Sequence, residues 1–314
     1  MNTLPPRRVV ARRSHIRLRG GDLAFLVIIY ALLALFFAVT LYPMLFVLSA
    51  SVSDPKAVAA GRMVLLPVGI TTEGYKFIFQ YKDLWTGYAN TLFYTVAGTM
   101  LSLAVTLPCA YALSRPDLVG RGGIMALFLF TMYFSGGLIP IYLNMQSLGL
   151  INTRAVLLVS GMLSVFNLIV SRTFFANSIP WELHEAARID GCGDFMTFLR
   201  IVLPLSKPII VVMCLYYGVA QWNQYFAAMI YLRDRELFPL QLFLREILIQ
   251  SKFLTTSLAS STDAAEVAAL LKQQDVANLL KYGVIVVSTV PMLVVYPWLQ
   301  QYFAKGVMIG SVKG

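Results

Sequence analysis

Charge is scarce in this sequence. Asp, Glu, Lys and Arg make up 13% of its 314 residues, against 58% hydrophobic ones, where a soluble domain carries roughly 25% charged residues. The deficit excludes an ordinary water-soluble globule. Cysteine is nearly absent too: Cys109, Cys192 and Cys214 form no C-x-x-C pair, so neither a disulfide framework nor a zinc site is expected. His15 and His184 are the only histidines, too few for a histidine metal site or proton relay, and no metal is expected. No Gly-x-x-x-x-Gly-Lys-Ser/Thr loop cradles a nucleotide phosphate; Gly120-Arg121-Gly122-Gly123 lacks the spacing. The apolar runs hold no carboxylate for a proton-coupled carrier, and no nucleophile–base pair stands out. The chain is therefore not expected to be an enzyme, nor to bind a cofactor itself.

What is present is apolar length. A spanning helix needs about 20 mainly apolar residues. Six runs qualify, near Leu23–Leu48, Leu84–Leu113, Ile124–Leu143, Ala155–Phe175, Ile209–Leu232 and Tyr282–Phe303. The fold class expected is an all-α membrane protein with six transmembrane helices. The first run is too long for a signal-peptide core and lacks a small-residue cleavage site, so it reads as a retained anchor. The net charge of +10 does not point to nucleic acid, because six of the 25 basic residues lie in Arg7–Arg19, just before that anchor. Attraction to anionic membrane lipid accounts for them.

Basic residues also set the orientation. The arm 1–22, Arg115 and Arg121, then Arg172, Arg188, Arg200 and Lys207, and finally Lys305 and Lys313 occupy alternate connections. One assignment puts all of them, and both termini, in the cytoplasm. The six-span domain then covers 23–314, with a cytoplasmic loop at 177–207 and a long outer loop at 233–281. In that outer loop, Thr262-Asp263-Ala264-Ala265-Glu266 reads as the capped start of a short helix. It is a docking surface for an external protein or a helix lying on the membrane.

The loop 177–207 has its own grammar. Pro180 opens a helix, Glu182 and Glu185 suit its positive end, and Ala186-Ala187 offer a small flat face. Gly191 and Gly193 end it, and Leu203-Pro204 breaks the chain before the fifth span begins at Lys207.

The order Glu-Ala-Ala, three residues, Gly, nine residues, Ile, one residue, Leu-Pro resembles the EAA loop of ABC importer permeases. It is matched at Glu185, Ala186, Ala187, Gly191, Ile201, Leu203 and Pro204. The resemblance implies the type I ABC importer permease fold and a coupling helix, Glu185–Gly191 with Arg188 and Asp190, seated in a nucleotide-binding subunit. Ile201, Leu203 and Pro204 would brace it. Trp222-Asn223 and the place of the loop between spans four and five resemble the MalG-like carbohydrate branch. Ser135-Gly136-Gly137-Leu138-Ile139-Pro140 and Leu148-Gly149-Leu150-Ile151-Asn152-Thr153 resemble its LplC/YtcP-type subgroup. What this implies is import of sugars, oligosaccharides above all, including acidic ones derived from alginate or pectin. The implied partners are a second homologous permease, two ATP-binding cassette subunits that bind ATP and Mg, and an external solute-binding protein. The implied location is the bacterial cytoplasmic (inner) membrane. Another solute, or an ATP-independent carrier, remains the alternative at this stage.

A sugar path needs polar and aromatic groups that lipid disfavours. Gln221-Trp222-Asn223-Gln224-Tyr225 is the densest such cluster within a span. Trp222, Asn223 and Tyr225 are the candidates for the path, and hydrogen bonding between spans is the competing role. Asn90, Tyr94 and Asn167 are weaker candidates. Gly136-Gly137 and Pro140 fit either a gate or close packing.

Overall fold

The computed structural model describes residues 20–260 and 264–308, and every regular element among them is helical. The basic arm Arg7–Arg19, the cap expected at Thr262-Asp263 and Lys313 lie outside the described residues. In chain order the helices are α1 (Gly20–Ser51), α2 (Pro55–Ala59), α3 (Glu73–Gln80), α4 (Lys82–Ser114), α5 (Arg121–Tyr133), α6 (Leu138–Ser147), α7 (Arg154–Val159) and α8 (Val165–Ser178). Then come α9 (Trp181–Ile189), α10 (Asp194–Thr197), a π-helical turn (Phe198–Val202), α11 (Leu203–Leu205), α12 (Lys207–Trp222), α13 (Phe226–Tyr231), α14 (Leu240–Ser260) and α15 (Ala264–Met308).

Helix α4 is the central strut. It packs on α12, α8, α14 and α7. Its inward positions Gly87, Asn90, Thr91, Tyr94, Gly98, Ser102, Thr106, Ala110 and Leu113 recur every three or four residues, which keeps them on one helical face. That face is partly polar, whereas Leu92, Val96 and Met100 point outward and are exposed. Polar inside and apolar outside is the arrangement of a helix whose surroundings are hydrocarbon, where polar groups hold helices together. At Gly98 an added Cβ would lie 2.7 Å from the Gln221 amide, so glycine leaves the room that this side chain of α12 fills. One turn or two further along, the hydroxyls of Thr106 and Tyr217 share a buried 2.7 Å hydrogen bond.

Among the described residues, three helical stretches are long and apolar enough to cross a membrane: Gly21–Ser51, Lys82–Ser114 and Gln273–Pro297. The other expected spans are broken. The third is two helices, α5 and α6, bent by 114°; the chain turns through extended Phe134 and Gly137 at φ 88°. Gly136-Gly137 thus ends one helix and starts another, and does not merely loosen a single rod. The fourth run is split into α7 and α8, with Ser164 capping α8 by accepting from the Asn167 N–H at 3.4 Å. The fifth is split into α12 and α13 at residues 223–225. Counting α5 with α6 as one span and Asp194–Leu205 with α12 as another raises the number to five among the described residues.

The segment 233–281 is not a loop with one short helix. Helix α14 and the first turns of α15 together fill most of it, and those turns pack back along α14 as a hairpin. The Ser251 hydroxyl donates to Asn278 Oδ1 at 3.3 Å, and the Gln274 amide donates to the Thr255 hydroxyl at 3.0 Å. Sequence reading underrated this segment because Leu240–Ser260 alternates too many polar residues to resemble a span, yet contains no Gly or Pro to stop a helix.

Gly98→Leu tests the α4–α12 contact. Overpacking at such a site costs about 1–3 kcal/mol. Thermal unfolding of the purified protein in detergent is expected to shift down, and an unchanged midpoint would refute the close approach.

Candidate functional site

The charged connection between α8 and α12 is an ordered platform. Pro180, with extended backbone, stands immediately before α9. The helix ends in a Schellman motif: the Cys192 N–H donates to the Ala187 carbonyl at 2.8 Å and the Gly191 N–H to the Arg188 carbonyl at 3.1 Å. Gly191 takes φ 75° there, a conformation that costs other residues roughly 1–2 kcal/mol. Glycine at this point of the motif is therefore favoured by backbone geometry.

The platform has two faces. Glu185, Ala186, Arg188, Asp190 and Gly191 are exposed. Ala187 is 3% exposed and packs inward, so the flat Ala186-Ala187 face does not exist; α9's 100° step per residue separates the two. Sequence reading missed what joins Ala186 on the outer face. Ile189 is 87% exposed and, beyond the turn, Phe195 is 69% exposed. Ile189, one turn along from Glu185, is a large apolar side chain on a surface suited to burial by another protein.

The inner face is bolted to the end of α4. The Arg115 guanidinium donates to Asp117 through Nε at 2.9 Å and to Asp194 through Nη1 at 2.6 Å. It also lies over the rings of Tyr111 and Trp181, at 5.9 and 5.8 Å from their centroids. The His184 ring stacks between the same two aromatics, with centroid separations of 5.7 and 5.0 Å. Arg188 reaches Asp117 at 3.7 Å, and Tyr111 stacks on buried Phe198 at 5.1 Å. Burial pushes the His184 imidazole below its ordinary value, opposed by the nearby Pro180 carbonyl. Hydrogen bonds from Arg115 hold Asp117 below the usual carboxylate range. The signal for this clamp was visible in the sequence as Arg115-x-Asp117 directly after an apolar run, but only its charge was read there.

The bracing residues differ in detail from expectation. Ile201 and Leu203 are half-buried and Pro204 is exposed, whereas Phe198 and Val202 fill the core with Tyr111, Phe175, Ile209 and Met213. Leu203-Pro204 does not break the chain. The Leu203 N–H reaches back five residues to the Phe198 carbonyl, so a π turn leads into the proline with its bonding intact. The break comes at Ser206, where the axis turns by 85° into α12 and the Ser206 hydroxyl donates to the Val202 carbonyl at 2.7 Å.

The proposed path residues do not converge. Trp222 is 4% exposed; its indole N–H donates to the Ser288 carbonyl at 3.1 Å and its ring meets Tyr88 edge-on at 5.9 Å. It fastens α12 to α15. Asn223 and Tyr225 are exposed, on the break that follows, so the spacing of a continuous helix does not apply to them. Asn90 and Tyr94 are tied to the 236–238 backbone: the Asn90 amide donates to the Glu236 and Phe238 carbonyls at 2.6 and 3.1 Å, and the Tyr94 hydroxyl to the Leu237 carbonyl at 2.9 Å. Asn167 is buried on α8. Among the described residues no group of three or more His, Cys, Asp or Glu side chains could hold a metal ion.

Two measurements probe the clamp. Arg115→Gln leaves Asp194 without its cation and Asp117 with only the more distant Arg188, at a cost of about 1–2 kcal/mol given their partial exposure. Faster hydrogen exchange is expected across 181–198 and none across α14; equal change in both would signal general unfolding. The His184 stack sets a pH dependence. Its folded value lies below the ordinary 6.5, so between the two the unfolded chain binds a proton that the folded chain refuses. This stability is complete above the ordinary value and falls as pH drops through that window; the Asp117 contribution is lost lower still. Melting should therefore come earlier at about pH 5.5 than at about pH 7.5, and His184→Phe, which keeps the stack, should flatten the difference. An equal pH response in that variant would assign the effect elsewhere.

No family model matches the chain. Its sequence is 39% identical over 290 residues to the polygalacturonan/rhamnogalacturonan transport system permease protein YtcP of Bacillus subtilis, covering 92% of this chain and 98% of that one. It is 39% identical over 277 residues to Protein LplC of the same organism, covering 88% and 90%. In three dimensions it is similar to a solved bacterial ABC transporter chain involved in import of the acidic polysaccharide alginate. The TM-score is 0.80 at 36% identity, covering 91% of this chain and 98% of the other. With its EAA spacing carried on an exposed helix and these full-length similarities, the chain belongs to the carbohydrate branch of the ABC importer permeases, in the group of LplC and YtcP.

Proposed function

We propose that this permease passes acidic oligosaccharides from an external binding protein to the cytoplasm by alternating access, across the bacterial inner membrane. The observation that carries the coupling half of the reading is the platform itself. Glu185, Ala186, Ile189 and Gly191 are presented outward on a helix whose inner face is clamped to α4. Such a surface takes a push from a soluble subunit and hands it to a span. The chain has no phosphate-cradling loop of its own, so ATP and Mg belong to two partner ATPase subunits, and a second homologous permease completes the passage.

The orientation follows the basic residues. With the Arg115 end of α4 and the platform in the cytoplasm, both termini are inside and the α14–α15 hairpin is outside. The six spans are then α1, α4, α5 with α6, α7 with α8, α12 with α13, and the later part of α15. The hairpin is the docking surface for the binding protein. Asn223 and Tyr225 line the path where α12 breaks, since a helix break frees backbone groups only where they face a cavity or other protein. Support for an acidic cargo comes from the relatives: the YtcP relative is named for polygalacturonan and rhamnogalacturonan, and the structural neighbour serves alginate.

The test is reconstitution of the permease with its partner permease, ATPase subunits and binding protein in vesicles. ATP-dependent uptake of trigalacturonate is expected. Glu185→Lys is expected to cut uptake at least about tenfold by placing a wrong charge in a buried interface, with the permease pair still folded. Gly191→Ala is expected to act more mildly. Full uptake and full ATPase recruitment by Glu185→Lys would overturn the coupling role.

A further inference from the structure

Among the described residues, three arginines lie over an aromatic ring: Arg115, Arg235 and Arg154. The first two each also hold two carboxylates, Asp117 and Asp194 for Arg115, and Asp83 and Glu246 for Arg235. Arg154 is placed with the same care and has no acidic partner among the described residues. Its guanidinium carbon lies 5.3 Å from the Phe93 ring centre, and Nη2 donates to Asn90 Oδ1 at 3.3 Å.

The setting is rigid. Asn90 is 4% exposed, and its amide nitrogen is already committed to the Glu236 and Phe238 carbonyls, so its oxygen can only face Arg154. Two residues before Arg154, Asn152 sits at φ 61°. Its side-chain oxygen accepts from the Arg233 and Asp234 N–H groups at 2.9 and 3.0 Å, and its amide donates to Asp234 Oδ2 at 2.8 Å. That bond engages the neighbouring carboxylate. The arginine head is thus oriented in advance by Asn90 and Phe93, which reduces the rotamer freedom lost on binding.

We infer that Arg154 and Phe93 form a recognition point for the carboxylate of an acidic sugar unit on its way to the path. Arg154 is exposed and Phe93 is 43% exposed. A guanidinium offers a planar fork that matches a carboxylate, and a neighbouring aromatic face suits the C–H side of a pyranose ring. The place fits as well. Helix α7 starts at Arg154 and is followed by Ser160, whose hydroxyl accepts from the Gln224 amide at 3.4 Å. Gln224 stands between Asn223 and Tyr225, the residues assigned to the path. A neutral oligosaccharide would gain nothing from the cation. This inference rests on the acidic-oligosaccharide reading and on the orientation that puts α7's first turn outside.

The experiment uses the full reconstituted transporter with two cargos of one shape, trigalacturonate and its methyl ester, at saturating loaded binding protein. The readout is the ratio of the two uptake rates, in which the binding protein's own preference cancels between variants. For Arg154→Gln the acid-to-ester ratio is expected to fall about tenfold or more, the loss typical of a hydrogen bond to a charged group. Arg154→Lys should fall in between, because a point charge replaces a fork. Phe93→Ala should slow both cargos together. An unchanged ratio in Arg154→Gln overturns the inference, as does an equal fall for acid and ester. A fall seen in vesicles rich in anionic lipid and absent in pure phosphatidylcholine assigns Arg154 to a net-anionic lipid headgroup and overturns it too. If the unaltered transporter carries the ester and not the acid, the acidic-cargo reading itself fails; if it carries the acid and the variants keep the ratio, that reading stands and only the role of Arg154 falls.

Discussion

One guanidinium decides where the platform sits. Arg115 ends the longest central helix, and from there it binds a carboxylate two residues along its own chain and another on α10, while lying against Tyr111 of α4 and Trp181 of α9. The end of α4 and the consecutive helices α9 and α10 meet at this one side chain. Because the carboxylates stay partly exposed, the ion pairs alone are worth little. The aromatic sandwich of Tyr111, His184 and Trp181 excludes water from one side and gives the charges a fixed geometry. A platform hung only on exposed ion pairs would swing; one packed through Tyr111 onto Phe198 and Phe175 moves with α4.

Helix α4 carries that constraint to its other end. There Asn90, Thr91 and Tyr94 hold the backbone of 236–240: the Leu240 N–H donates to the Thr91 hydroxyl at 2.8 Å, and three carbonyls accept from Asn90 and Tyr94. In between, Gly98 brings α12 into close contact. The polar groups that sequence reading offered to a solute are mostly spent on this bracing. Asn90, Tyr94 and Trp222 each satisfy a backbone carbonyl, which hydrocarbon surroundings would otherwise leave costly. Polarity in an apolar run therefore marked helix–helix joints more often than a path, and only the exposed Asn223 and Tyr225 retain free surface.

How much was legible depended on whether a feature is local. The Schellman turn at Gly191 and the start of α9 after Pro180 are set by neighbouring residues, and the sequence pattern predicts both. The family follows from the same short stretch. The breaks at Phe134–Gly137 and at Ser206 were not legible as bends, because a hydropathy window sees apolar length and not direction. The Arg115 clamp was hidden for a different reason: Arg115 and Asp194 are far apart in the chain, and no periodicity links them. Ala187 shows the limit within one motif. Two adjacent alanines look equivalent in sequence, yet a helix sends one to the core and one to the surface.

Helix α15 extends over 45 residues. At 1.5 Å per residue that is about 68 Å, roughly twice the hydrocarbon thickness of a bilayer. Its first turns pair with α14 and its later turns pack against α1 and α12, with no loop between the two regions. The membrane-embedded part and the projecting part are one lever arm. A few degrees of tilt at the fulcrum would sweep the projecting tip through several ångström, and a partner gripping the tip would exert torque on the buried half. Binding outside and gating within would then share one helix, and Pro291 and Pro297 mark the points of its inner half where it can bend.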